Sequence, residues 1–178
     1  MATWVVLLRG VNVGGANRLA MANLRDLITS LGHTEVSTYI QSGNIVLTSA
    51  RTDRAGMAAE LCDGIEATFG LAVSAVLRTP DELRATLAAN PYATEPNATR
   101  VLVTFLTEVP SPDAAARLEP GRFVPERFEL LGAELFAHYP NGSGRSKMTL
   151  GYFEKRLGVR GTARNLNTVA KLVELSAG

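Results

Sequence analysis

"VSTYIQSGNIVLTS", Val36–Ser49, is the stretch on which the fold turns. Val36–Ile40 and Ile45–Leu47 are rich in β-forming residues, and Gln41-Ser42-Gly43-Asn44 between them carries turn chemistry, so the stretch reads as a β-hairpin. Upstream, Trp4–Arg9 reads as a strand. Met21, Leu24, Leu27, Ile28 and Leu31 then recur at three- and four-residue steps, a helix stopped by Gly32. Downstream, Met57, Leu61, Ile65 and Phe69 predict a helix over 52–69 with Gly70 as its stop, and "LAVSAVLRT" follows as a fourth strand. The hairpin therefore sits inside a β-α-β-β-α-β order, the ferredoxin-like pattern. "TPDEL" opens another helix, with Thr79 as N-cap, Pro80 at the first position and Glu82 completing a capping box.

The second half begins again. Arg100–Thr107 reads as a strand, residues 113–118 as a short helix, and "RFELLGAELFAHY" as a hairpin turning at Gly132-Ala133. One helix carries Leu150, Phe153 and Leu157, and a last one Leu166, Val169, Leu172 and Val173. The expected class is α+β, with a ferredoxin-like subdomain over 1–90, a linker over 91–99, and a related β-α-β-β-α-α subdomain over 100–178. A right-handed crossover makes the first two strands parallel, so the Arg9–Arg18 loop and the Gln41–Asn44 turn should share one rim of the sheet.

Composition narrows the class. The chain has 178 residues, 46% hydrophobic and 20% charged, enough apolar material for a core. No apolar run reaches the ~20 residues that span a bilayer, and Met1-Ala2-Thr3-Trp4 lacks signal-peptide character. Cys62 is the single cysteine, which excludes an internal disulfide or a cysteine-based zinc site and makes a reduced, cytoplasmic setting the default. Net charge is +1, yet residues 141–178 hold seven basic and two acidic residues, 7 − 2 = +5, while 81–140 hold five and nine, 5 − 9 = −4. A local positive field near the C-terminus is one reading, and ordinary solvated helix faces are the other.

Four segments concentrate glycine, asparagine and cations. In "RGVNVGGANR", Arg9–Arg18, Gly14 and Gly15 leave bare backbone before a helix N-terminus, Arg9 adds a forked donor, and Asn12 and Asn17 either orient a ligand or satisfy loop carbonyls. In the hairpin turn, Gln41, Ser42 and Asn44 present polar groups, and Gln41 is the one the turn does not need. "YPNGSGRSK", Tyr139–Lys147, sets Arg145, Ser146 and Lys147 in a nest-like loop, although Ser143 or Ser146 also fits as a helix cap. "RGTARNLNT" offers Arg164 and Asn165, the latter also a candidate cap. Neither a GxGxxG nor a GxxxxGK[ST] spacing is present, so no dinucleotide or Walker reading is supported. His33, after the helix stop, is expected at the surface, His138 as a structural strand residue and Cys62 as a small buried one. No triad, dyad, metal site or cofactor motif assembles.

"LLRGVNVGG", "MANLR", "TYIQSGN", "NPY", "YPNGSGRSK" and "TARNLNT" together resemble a widespread bacterial family, the domain of unknown function 1697 proteins. The resemblance spans nearly the whole chain in order. It implies a chain of two α+β subdomains and no established activity. Family members often carry tryptophan within the RN-x-NT segment, where this chain has Leu166. Core packing at that position would accept leucine, whereas a ligand-stacking role would be lost.

The expected function is binding of a phosphate-bearing ligand, nucleotide or nucleic-acid-like, in a cleft between the subdomains. Arg9, Asn12, Gly14, Gly15, Gln41, Ser42 and Asn44 would form one half, and Arg145, Ser146, Lys147, Arg164 and Asn165 the other. The alternatives are an enzyme that acts on a small polar or phosphorylated metabolite by electrostatic catalysis, and a partner-binding protein whose polar loops are internally saturated. No membrane partner is expected, and the oligomeric state is left open.

Overall fold

Ala2–Arg9 forms β1, and its Trp4–Leu8 run is buried throughout. A strand with one wet face would alternate, so this continuous run marks a sheet covered on both faces. Trp4, Val6 and Leu8 face one side, where they join Leu24 and Ile28 of α1 (Met21–Ser30) and Met57, Leu61 and Ile65 of α2 (Arg54–Phe69). Val5 and Leu7 are buried on the opposite side. The computed structural model describes all 178 residues. It comprises two four-stranded antiparallel sheets and six helices, a mixed α+β fold. No helix is long and apolar enough to cross a membrane.

The chain divides into two units, residues 1–83 with 172–178, and residues 84–171. In the first, β2 (Thr34–Tyr39), β3 (Asn44–Ser49) and β4 (Ser74–Arg78) complete a sheet of order β2-β3-β1-β4. Both β1 and β2 are antiparallel to β3, so they run in the same direction and the chain leaves both at one edge. The hairpin closes at Tyr39↔Asn44. After β4 comes α3 (Pro80–Ala88), opened by the expected capping box: Thr79 N–H donates to Glu82 Oε2 at 2.7 Å, and Glu82 N–H to Thr79 Oγ1 at 3.2 Å. Burial works against the Glu82 carboxylate, but the Thr79 N–H and the forked Arg54 guanidinium outweigh it and hold its pKa below the ordinary value.

The second unit contains β5 (Val101–Leu106), α4 (Pro112–Ala115), β6 (Arg127–Leu131), β7 (Glu134–His138), α5 (Leu150–Leu157), β8 (Gly161–Asn165) and the start of α6 (Leu166–Leu175), with sheet order β6-β7-β5-β8. Here one expectation fails. Gly161–Asn165 is a strand, paired with β5 from Leu106↔Gly161 to Leu102↔Asn165, so the order is β-α-β-β-α-β-α and not β-α-β-β-α-α. "GTARN" holds glycine, alanine and asparagine, which disfavour strands, and α6 follows with no turn between. Pairing makes this strand, not propensity. Gly161 fits because a Cβ there would lie 2.8 Å from the Phe105 carbonyl oxygen.

Further placements differ from expectation. Residues 91–99 are fastened within the second unit: Tyr92 stacks on His138 with ring centroids 5.2 Å apart, and Glu95 meets His138 Nε2 at 2.8 Å. The last seven residues return to the first unit. His33 is only 3% exposed, with Nε2 3.3 Å from Glu60 of α2, because α1 packs on α2 and the turn after α1 carries the histidine inward. Cys62 is half-buried, and burial, then neighbouring Asp63, pushes its thiol pKa up.

Candidate functional site

The loop after β1 is built by its asparagines. Asn12 sits at φ 53° and Asn17 at φ 52°, a region this residue type tolerates. Asn12 Nδ2 donates to Leu19 O at 3.0 Å and to Gln41 O at 2.7 Å, while its Oδ1 accepts Leu19 N–H at 2.9 Å. Asn17 Nδ2 donates to Gly10 O at 2.7 Å. The Asn12–Gln41 bond shows that the β1 loop and the β2–β3 turn do share one rim. A second tie lies beneath it: Leu8 N–H donates to Gly43 O at 2.8 Å, and a Cβ on Gly43 would come within 2.7 Å of Leu8 Cβ. Asn44, fully buried, donates to Tyr39 O and to Ser42 Oγ, each at 3.0 Å. Asn12, Asn17 and Asn44 thus serve the loop's own backbone.

What remains is a different set. Gly14 and Gly15 have φ 58° and 80°, and a Cβ on either would meet nothing within 4 Å, so their backbone borders open space. Beside them lies a depression of about 600 Å³ lined by Asn12, Gly15, Arg18, Leu19, Ala20, Asn23 and Gln41. Arg18, Asn23 and Gln41 are exposed. The N-cap of α1 is Ala20, no side chain caps the helix, and Ala20 and Asn23 at its start line the same depression. Arg9 stands at the end of β1, half-exposed and engaged with neighbours.

In the second unit the predicted residues split. Ser146 Oγ binds the Glu126 carboxylate and accepts Met148 N–H at 2.9 Å. Tyr139, which opens the same loop, donates to Met148 O at 2.7 Å, and burial, then Glu126, pushes its pKa up to about 12. The cap of α5 is Thr149, not Ser143 or Ser146. Arg145 and Lys147 are exposed. Arg164 is 9% exposed and donates from Nη1 to Thr162 Oγ1 at 2.8 Å and to Ala163 O at 2.9 Å; burial pushes its pKa down to about 10. Asn165 Oδ1 accepts Thr168 N–H at 3.0 Å and so caps α6. Leu166 is half-buried.

The model of the family described as "Protein of unknown function (DUF1697)" matches residues 1–136. The chain belongs to the DUF1697 family. A solved structure of a conserved bacterial protein, SP0830 from Streptococcus pneumoniae, is similar at 26% identity and a TM-score of 0.70, over 97% of each chain. No curated protein matches the sequence.

Sequence reasoning passed over two features of this DUF1697 protein. Arg18 closes the quoted loop but was not among the candidate ligand residues, and Asn23 lies on a helix whose missing cap is the readable signal: Ala20 stands where Ser, Thr, Asp or Asn would cap. The Glu95–His138 pair joins residues 43 apart, which no local motif announces.

Proposed function

We propose that the first unit binds a phosphate-bearing ligand, nucleotide-like in kind, in the depression beneath the β1 loop. The observation that carries this is the uncapped N-terminus of α1 opening beside the exposed Arg18, Asn23 and Gln41. Free N–H groups and the helix dipole favour an anion there. Arg18 supplies a forked charge. The open backbone at Gly14 and Gly15 lets an oxygen-rich group approach without steric cost. The leading role passes from Arg9 and the asparagines to Arg18, Asn23 and Gln41, because the asparagine side chains are engaged elsewhere.

The test is a thermal-shift screen against nucleotides, sugar phosphates and oligonucleotides, run on the native chain and on Arg18→Ala and Lys147→Ala. A compound that raises the melting temperature of the native chain and of Lys147→Ala, but not of Arg18→Ala, supports the reading. A nucleic-acid ligand would in addition lose affinity steeply with salt. The saturated Asn12, Asn44 and Ser146 favour the competing reading, in which these loops serve the fold alone. That reading predicts no shift with any compound.

A further inference from the structure

Residues 91–96 border a cavity of about 280 Å³ in the second unit, whose lining includes Tyr92, Thr94, Glu95, Arg127 and His138. Two of these groups are engaged with each other. Glu95 meets His138 Nε2 at 2.8 Å through Oε2 and accepts Asn97 N–H at 3.0 Å through Oε1. The pair fixes the imidazole, and Tyr92 stacks on it. Arg127 stands directly across the β6–β7 ladder from His138, so both side chains rise from one face of the sheet. Its guanidinium lies 5.4 Å from the Tyr92 ring centroid. A ring stack and a cation–π contact therefore hold Tyr92 and Arg127 in place. The polar ends of both are left over. Tyr92 is 9% exposed, yet its hydroxyl has no hydrogen-bond partner, and neither the Arg127 guanidinium nor the Thr94 hydroxyl has an ion pair or hydrogen bond.

Buried polar groups are paired as a rule, because an unpaired one costs free energy. Phenylalanine at position 92 would make the same stack without that cost, so the fold does not account for the Tyr92 hydroxyl. Burial, then Glu129, pushes its pKa up, and at neutral pH it keeps its proton to donate. Three free donors around one cavity suit a ligand rich in acceptors. The guanidinium fork matches the two oxygens of a carboxylate. The Glu95 carboxylate in the wall and Glu129 close to Tyr92 oppose a second negative charge. At about 30 Å³ for each water, the space equals about nine waters, too little for a nucleotide. The geometry points to a second site, separate from the phosphate site of the first unit: this cavity takes a small monocarboxylate, held on the Arg127 fork and by the Tyr92 and Thr94 hydroxyls.

The experiment is calorimetric titration of the full chain with lactate, the dianion succinate and inorganic phosphate at neutral pH. In the native chain, amide shifts during the lactate titration should concentrate at Tyr92, Thr94 and Arg127. Lactate should bind about tenfold more tightly to the native chain than to Arg127→Gln, which loses the charged fork. Tyr92→Phe should weaken lactate about fivefold. Its melting temperature should not fall, since the hydroxyl it removes has no partner in the fold. Thr94→Val, at an exposed position, should weaken lactate without touching the core. Succinate and phosphate should bind about tenfold more weakly than lactate. No lactate binding, lactate shifts elsewhere in the chain, or an affinity unchanged in Arg127→Gln or in Tyr92→Phe overturns the site. Phosphate or succinate binding as tightly as lactate overturns the ligand class.

Discussion

The loop after β1 and the loop after β7 look alike as strings: each is rich in glycine, each carries asparagine or serine, and each ends on cations. Their folded states differ. After β7, Ser146 and Tyr139 turn their polar atoms onto Glu126 and Met148, and Thr149 caps the helix that follows. After β1, Asn12 and Asn17 bond to backbone carbonyls, and the next helix is left with no side-chain cap, beside an arginine, an asparagine and a glutamine that face solvent. Polar, glycine-rich sequence marks where a backbone needs partners. Donors left over once those needs are met mark where a ligand can sit.

The comparison breaks most readily at the glycines. Gly43 has φ 80° and no room above it, whereas Gly15 has the same φ and open space. Gly43→Ala should destabilise the chain by about 3 kcal/mol, combining strain with overpacking against Leu8. Gly15→Ala should cost about 1 kcal/mol, the backbone term alone. Chemical denaturation of the two variants measures both, and equal losses would erase the distinction between the tied and the open part of the rim.

Next in size is Asn44→Ala. It removes a buried amide and leaves the partly buried Tyr39 carbonyl without this donor, and a loss of about 2 kcal/mol is expected in the same assay. Tyr139→Phe probes the other loop. Its hydroxyl bond to Met148 is worth about 1 kcal/mol at neutral pH. The larger signature is alkaline. The folded-state pKa is raised from 10 to about 12, so the native chain keeps this contribution below pH 10 and loses it as pH rises toward 12. The phenylalanine variant should lack that step in a pH-dependent denaturation series.

The smallest effect sits at Glu95. The hydrogen bond from His138, then the Asn97 N–H, lowers its pKa below the ordinary value. A depressed carboxylate pKa stabilises the fold above the unfolded value, and the gain disappears as pH falls through the folded one. Glu95→Gln should therefore flatten the acid limb of the stability profile and leave the alkaline limb untouched.

Much of the architecture was legible because it rests on local signals. The period of Met57, Leu61 and Ile65, the stops at Gly32 and Gly70, the Thr79–Glu82 box and the Tyr39–Asn44 turn all act within a few residues. β8 was not legible, since "GTARN" becomes a strand only through its pairing with β5. Arg164 read as a ligand residue because type and neighbours do not reveal burial; its guanidinium serves Thr162 and Ala163 inside the second unit. Arg18 went unread for the opposite reason, since an exposed cation in a loop looks like any solvated charge until a depression forms around it.

The central claim is that phosphate seats at the uncapped start of α1. Amide chemical-shift mapping during titration with inorganic phosphate tests it most directly. The claim predicts shifts concentrated at Gly14, Gly15, Met21, Ala22 and Asn23, and abolished in Arg18→Ala. Shifts confined to residues 141–147, or none at all at saturating phosphate, would contradict it.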